Sequence, residues 1–356
     1  MPLLQPNQGG SVPLASTSSA REDLADYIAI VDAKSTPFVS QAPKGRDIGN
    51  MQFSWQVDNY GAPVLAGVVD GTDVTVASAS NPVVNRTRLN NYGQAFRRDL
   101  RIGFIAETQE VAGVTDELAN GIAKKLVEIK RDMESTFMCT NQAAQADNGS
   151  SNAYLTGSLG NWLNNTNASN IGACASGSPF LPVSGAIDTT ASASFVEATA
   201  QNVLTAIYSA TGTFRDYDCI LGTTLKRAFT NLTAGGGAVI NGAGTTNTYT
   251  QTAVRTFNQD LASDTFKSSI DIFEGDFGRL ILHPSTFIGG KNGTALSAQA
   301  FKGYVIPMDM VEVRYAKLPQ IKDLPDAGGG PARLVEAIAG LVCKNPSGFG
   351  FFNGAS

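Results

Sequence analysis

The sequence predicts an α+β fold of two compact lobes, in a chain whose low charge means either a neutral polar surface or much surface hidden against partners. Three observations predict it. At about 150 residues per domain, 356 residues divide into two lobes. Helical periodicity and strand alternation both occur, in separate segments. Charged residues make up only 16%, against about 25% in an ordinary soluble domain, and the cores of interfaces are where charge is depleted.

Residues 1–20 are small and polar, with three prolines, and read as an extended arm. Ala20 to Val31 reads as a short helix with Leu24, Tyr27, Ile28 and Val31 on one face, and Pro37 is expected to stop it. Met51, Phe53, Trp55 and Val57 alternate with polar residues, which predicts a strand over 50–58. A returning strand is expected over 92–102. The thirty or so residues between are too long for a compact loop, so a two-stranded arm is expected.

Residues 115–139 carry the strongest periodicity. Leu118, Ile122, Leu126, Ile129, Met133 and Phe137 recur at steps of three and four and draw one apolar stripe. Thr115 is the expected N-cap, and Lys124 with Glu128 and Lys130 with Glu134 are expected ion pairs on the solvated side. Residues 140–194 hold only Asp147 and Asp188 as charges and read as a polar insertion pinned by Trp162 and Leu163. Beyond it, helices are expected at Phe195–Tyr208 and Thr223–Leu232, the second of them leading into a flexible loop at Gly235–Gly237. Strands are expected at Asp218–Leu221, Tyr304–Ile306, Val311–Ala316 and Leu334–Cys343, with a hairpin around Gly275 and Gly278.

Composition excludes several functions. The single histidine, His283, cannot form a His cluster for metal. No 18-residue apolar stretch spans a membrane, and the amino end lacks the features of a secretory signal. The net charge of −5 argues against tight nucleic-acid binding, which displaces counterions with basic charge. Four scattered cysteines, Cys139, Cys174, Cys219 and Cys343, read as buried thiols.

No catalytic constellation emerges. Residues 218–229 run strand then helix but lack the glycines of a phosphate loop. Asp271, Glu274 and Asp276 cluster without the further oxygen ligands of a calcium loop. Glu107 and Glu110 are carboxylates with no sign of convergence. Arg97, Arg98 and Arg101 suit either phosphate contacts or interface salt bridges, with the interface reading preferred. No cofactor is expected.

Several segments resemble the major capsid proteins of tailed bacteriophages, which share the HK-97-like capsid fold. REDLADYIAIVDAKSTPFVS (21–40) is similar to the opening helix of a capsid subfamily. RLNNYGQAFRRDLRIGFIAETQEV (88–111) and DELANGIAKKLVEIKRDMES (116–135) resemble its hairpin return and spine helix. IDIFEGDFGRLILHPSTF (270–287) resembles its aromatic strand, with Phe273 where Tyr is common, and LVEAIAGLVCKNPSGFGFF (334–352) its closing strand.

The resemblance implies an assembly protein rather than an enzyme. It assigns 1–38 to an N-terminal arm and short helix, 39–100 to an extended loop with flanking peripheral-lobe segments, and 101–140 to the spine helix. It further assigns 141–194 to the insertion, 195–300 to an axial α/β lobe, 301–347 to returning peripheral-lobe strands, and 348–356 to a tail. It implies hexamers and pentamers closing an icosahedral head around double-stranded DNA, assembled in the bacterial host. A portal protein and scaffolding or cement proteins are the implied partners, with no membrane. An encapsulin-like nanocompartment shell is the alternative reading. Expected inter-subunit contacts are Trp55, Tyr60, Arg86, Arg88, Arg97, Arg98, Arg101, Glu107, Lys130 and Arg131. Residues 59–87 hold no Lys, so no lysine-based weld from this loop is expected.

Overall fold

The computed structural model describes residues 34–60, 63, 65–73, 86–108, 116–163, 180–233, 270–289, 301–326 and 328–355. The expected arm and the helix at 20–31, the loop at 235–237, Glu110, Thr115 and Cys174 lie outside them.

The described chain opens with helix α1, Pro37–Gln41. Pro37, expected to stop the helix at 20–31 that lies outside the described residues, begins α1: its fixed φ and missing N–H suit the first helical position. Strands β1 (Gln52–Val57) and β2 (Thr87–Tyr92) pair antiparallel, with Trp55 opposite Leu89. The expected single return strand is two. After β2 the chain turns at Gly93 into β3, Gln94–Arg101, which pairs with a different strand. A short helix α2, Phe104–Glu107, leads to α3, Glu117–Phe137.

Helix α3 is capped by Asp116, whose carboxylate accepts from the Ala119 N–H at 3.0 Å. Its apolar stripe is buried only toward the C-terminal end: Ile129, Met133 and Phe137 are buried, while Leu118, Ile122 and Leu126 are half-buried. The ion pairs differ from those expected. Lys125, not Lys124, reaches Glu128 at 2.9 Å. Glu134 turns inward, fully buried, and accepts from the N–H groups of Phe38 and Val39 at 3.0 and 2.8 Å. Periodicity places a residue on a helix face; it does not say that a segment almost a hundred residues upstream covers that face.

Residues 141–163 fold back on the first lobe through polar contacts. Asn91, fully buried, donates to Gly157 O and Leu341 O and accepts from Gly157 N–H. Gln142 donates to Gln94 Oε1 and Thr156 O. The segment ends in α4, Leu159–Trp162, whose Trp162 is buried with Leu163 and packs against Trp55 at 5.4 Å.

The second lobe holds β4 (Ile187–Asp188), α5 (Glu197–Thr211), β5 (Asp216–Leu221), α6 (Thr223–Thr233), β6 (Ile272–Gly275) and β7 (Gly278–Pro284). Four strands complete the chain: β8 (Lys302–Ile306), β9 (Val311–Leu324), β10 (Ala332–Cys343) and β11 (Gly350–Asn353). They divide between two sheets. One has the order β3-β10-β9; the other has the order β4-β11-β8-β5-β7-β6. Strand β8 is thus hydrogen-bonded inside the larger sheet, beside β5, and the closing residues form its strand β11.

The larger sheet has two buried faces, as its alternation shows. Ile220, Tyr304, Ile306 and Phe351 join the core shared with α3 and the smaller sheet. Cys219, Leu221, Val305 and Phe352 join the core under α5 and α6. A strand buried on both faces reads as a nearly continuous apolar run, which is why GFGFF and YVI stand out in this weakly charged sequence.

Candidate assembly surfaces

Among the described residues between β1 and β2, four apolar side chains are exposed. Tyr60, Leu65, Val68 and Val69 are between 76% and 99% exposed. The loop has a defined turn: Thr72 N–H donates to Val69 O at 3.2 Å, and Gly71 supplies the positive φ of +81°. Single exposed apolar residues are ordinary, whereas four on one loop are more than scattered exposure explains. Of these, only Tyr60 is among the contacts expected from the sequence. The Leu-Ala-Gly-Val-Val run is the signal in the sequence for the others.

At the base of the loop, Arg86 Nε lies 2.9 Å from Asp58 Oδ2. Arg88, on β2, is exposed. Trp55 is held within the chain: its indole donates to Lys344 O at 3.2 Å and it lies against Phe53 and Trp162.

Strand β3 separates its arginines by alternation. Arg98 faces α3 and grips Asp132 through two hydrogen bonds of 2.7 and 2.6 Å. Such a forked pair is the geometry guanidinium favours. Arg97 and Arg101 point to the opposite face of the smaller sheet, and both are exposed. There Arg97 lies in register with Glu336, which also pairs with Lys317. The Lys317 hydrogen bond, with the charges of Lys317, Lys322 and Arg97, holds the Glu336 carboxyl below its usual range. Arg101 lies 3.9 Å from Asp326, whose Oδ1 accepts from the N–H groups of Gly328, Gly329 and Gly330. This glycine turn abuts the β3–α2 corner, and a Cβ on Gly330 would meet Ile102 O at 2.2 Å.

Beside that corner, a cleft of about 420 Å³ opens between Leu100, Ile102, Gly121 and Lys124. Phe104 and Ile105 of α2 are exposed at its margin. Glu107 ends α2. Lys130 is exposed on α3, while Arg131 lies over the Phe287 ring at 5.6 Å. The expected contact residues therefore do not converge on one site. Tyr60, Arg88, Arg97 and Lys130 face outward, and Trp55, Arg86, Arg98 and Arg131 are engaged at home.

Residues with possible chemistry are dispersed. His283 Nε2 lies 2.9 Å from Asp218 Oδ1, between neighbouring strands β7 and β5. Lys226 of α6 pairs with Asp271 at 3.1 Å. Cys139, Cys219 and Cys343 are buried, and burial pushes the Cys343 thiol well up. Among the described residues no group of three His, Cys, Asp or Glu is placed to hold a metal ion, and no helix is long and apolar enough to cross a membrane.

A long helix against one sheet and a second sheet between two cores form the HK-97-like fold of phage capsid subunits. The chain superimposes on a subunit of the cyanophage Pam1 capsid with a TM-score of 0.54, at 12% identity, over 97% of this chain and 98% of that one. A structure from Gordonia phage Cozz gives a TM-score of 0.53 at 14% identity, over 100% and 99%.

Residues 7–356 match the family described as SU10 major capsid protein, and the chain belongs to that family. A 117-residue stretch, 32% of the chain, is 33% identical to the major capsid protein of Escherichia phage Phieco32, and it spans 31% of that relative's length. The family is one of structural capsid proteins of phages and not a class of enzyme, and membership in it does not favour the nanocompartment reading.

Proposed function

We propose that this chain assembles with copies of itself into hexamers and pentamers that close an icosahedral head around double-stranded DNA. In this reading α3 and the smaller sheet form the peripheral lobe and the larger sheet with α5 and α6 the axial lobe. The loop beyond β1 lies across a neighbouring subunit. The observation that carries the reading is that loop: Leu65, Val68 and Val69 are exposed together with Tyr60. Tyr60, Arg88, Arg97 and Lys130 are the outward candidates for the same interfaces.

Assembly takes place in the bacterial host, with a portal protein and separate scaffolding or cement proteins as partners. The net charge of −5 fits a container that does not grip its genome, because acidic and neutral surfaces hold phosphate weakly. Tight, salt-sensitive binding of free subunits to DNA would contradict that part.

The test is the triple substitution Leu65→Ser, Val68→Ser and Val69→Ser. The expected product is a folded, soluble subunit with an unchanged thermal transition and no particles by sedimentation. Particles formed at the wild-type yield would contradict the proposal.

A further inference from the structure

Residues 145–155 close into a tight turn outside both cores. At its base Gln145 and Leu155 exchange backbone hydrogen bonds of 3.0 Å, and inside these Asn148 N–H donates to Asn152 O at 3.3 Å. Within this frame one side chain collects three donors. The N–H groups of Ser150, Ser151 and Asn152 meet Asn148 Oδ1 at 3.1, 3.0 and 2.8 Å. Three N–H donors on one atom identify it as the amide oxygen. The other end of the amide, Nδ2, lies 3.2 Å from Ser151 Oγ. The next residue in the chain is Gly149, whose N–H donates to Asp147 Oδ1 at 2.5 Å. Asp147 to Asn152 are all exposed, so water reaches them.

We propose that Asn148 is a self-modification site: Gly149 N attacks Asn148 Cγ, ammonia leaves, and the cyclic imide that forms is opened by water to aspartate or isoaspartate. Each step has a group in place for it. Asp147 takes the Gly149 amide proton as a general base already at hydrogen-bond distance. The nitrogen bonds to Cγ, and the carbonyl electron pair moves onto Oδ1. The three N–H groups aimed at Oδ1 hold that charge as an oxyanion hole does. The pair then returns, the Cγ–Nδ2 bond breaks, and Nδ2 departs as ammonia with the proton that Asp147 took. Ser151 Oγ lies beside Nδ2 to relay it. Gly149 has no side chain to hinder the approach, and the bonds at the base of the turn hold the groups together before reaction.

The product sets a second carboxylate beside Asp147. In the isoaspartate form the side chain has become main chain, and the three-amide cap is lost. Two other Asn–Gly pairs among the described residues lack this setting. Gly121 lies inside α3, where its N–H belongs to the helix ladder. Gly354 is buried, and Asn353 Oδ1 accepts from Lys302 Nζ.

Peptide mapping by mass spectrometry of the full chain, incubated in neutral buffer with and without urea, tests the proposal. The peptide holding Asn148 is expected to gain the mass of an amide turned acid and to split into aspartate and isoaspartate isomers. Conversion runs roughly tenfold or more faster in the folded chain than in urea, because only the fold supplies the base and the three donors. Peptides holding Asn120 and Asn353 of the folded chain stay unchanged over the same time. Asp147→Asn keeps an oxygen for the Gly149 N–H but is a far weaker base, so it slows conversion in the folded chain by roughly tenfold or more. The substitution is on an exposed turn, and an unchanged denaturant midpoint checks that the variant folds. No conversion at Asn148, conversion no faster than in urea, aspartate without isoaspartate, or Asp147→Asn reacting at the wild-type rate overturns the proposal.

Discussion

Asn91 ties three segments together with one side chain. It sits on β2, donates to Leu341 O of β10 at 2.7 Å, and both donates to and accepts from Gly157. All of these groups lie in the interior, where an unpaired donor or acceptor costs about 1–3 kcal/mol. Asn91→Ala is expected to destabilise the subunit by about 2–4 kcal/mol, read as a lower denaturant midpoint of the unassembled chain. In the sequence Asn91 is only one polar residue in a strand. Its role depends on two carbonyls 66 and 250 residues away, and no local pattern encodes those. Glu134 is hidden for the same reason: its spacing from Lys130 suits a surface pair, and only α1 packing over it turns it inward.

At the scale of elements, α3 is the most legible feature, because six apolar residues at helical spacing leave one solution. Its extent agrees with the periodicity to within about two residues at each end. Less legible is which half is buried. Phe137 lies between Phe38 and Phe96, with centroids 6.2 and 6.3 Å away, whereas Leu118 is only half-buried. Phe137→Ala is expected to cost about 3–5 kcal/mol and Leu118→Ala distinctly less. Equal losses in denaturant melts of the two variants would contradict this gradient. The turn after β9 gives a second check. Gly330 has φ +101° and no room for a Cβ beside Ile102 O, so Gly330→Ala is expected to destabilise by more than about 1 kcal/mol. The strands teach a different lesson. Alternation locates β1, and strands are expected where β5 and β10 lie, yet the break at Gly93 and the insertion of β8 and β11 into the larger sheet depend on partners distant in sequence. A period of two assigns faces, not neighbours.

For the whole molecule, low charge and a long two-stranded arm expected from the sequence suit assembly, and the membership in a capsid protein family agrees. The contact residues are the least legible part. An arginine on a strand looks the same in sequence whether it grips its own helix, as Arg98 does, or faces outward, as Arg97 does. Since residues 59–87 contain no Lys, boiled particles are expected to run as separate subunits on a denaturing gel, and a covalent ladder would contradict that. The most direct test of the central claim is negative-stain electron microscopy of the chain expressed alone and with its neighbouring genes. Closed angular shells are the predicted result. A discrete monomer or small oligomer under every condition would contradict it.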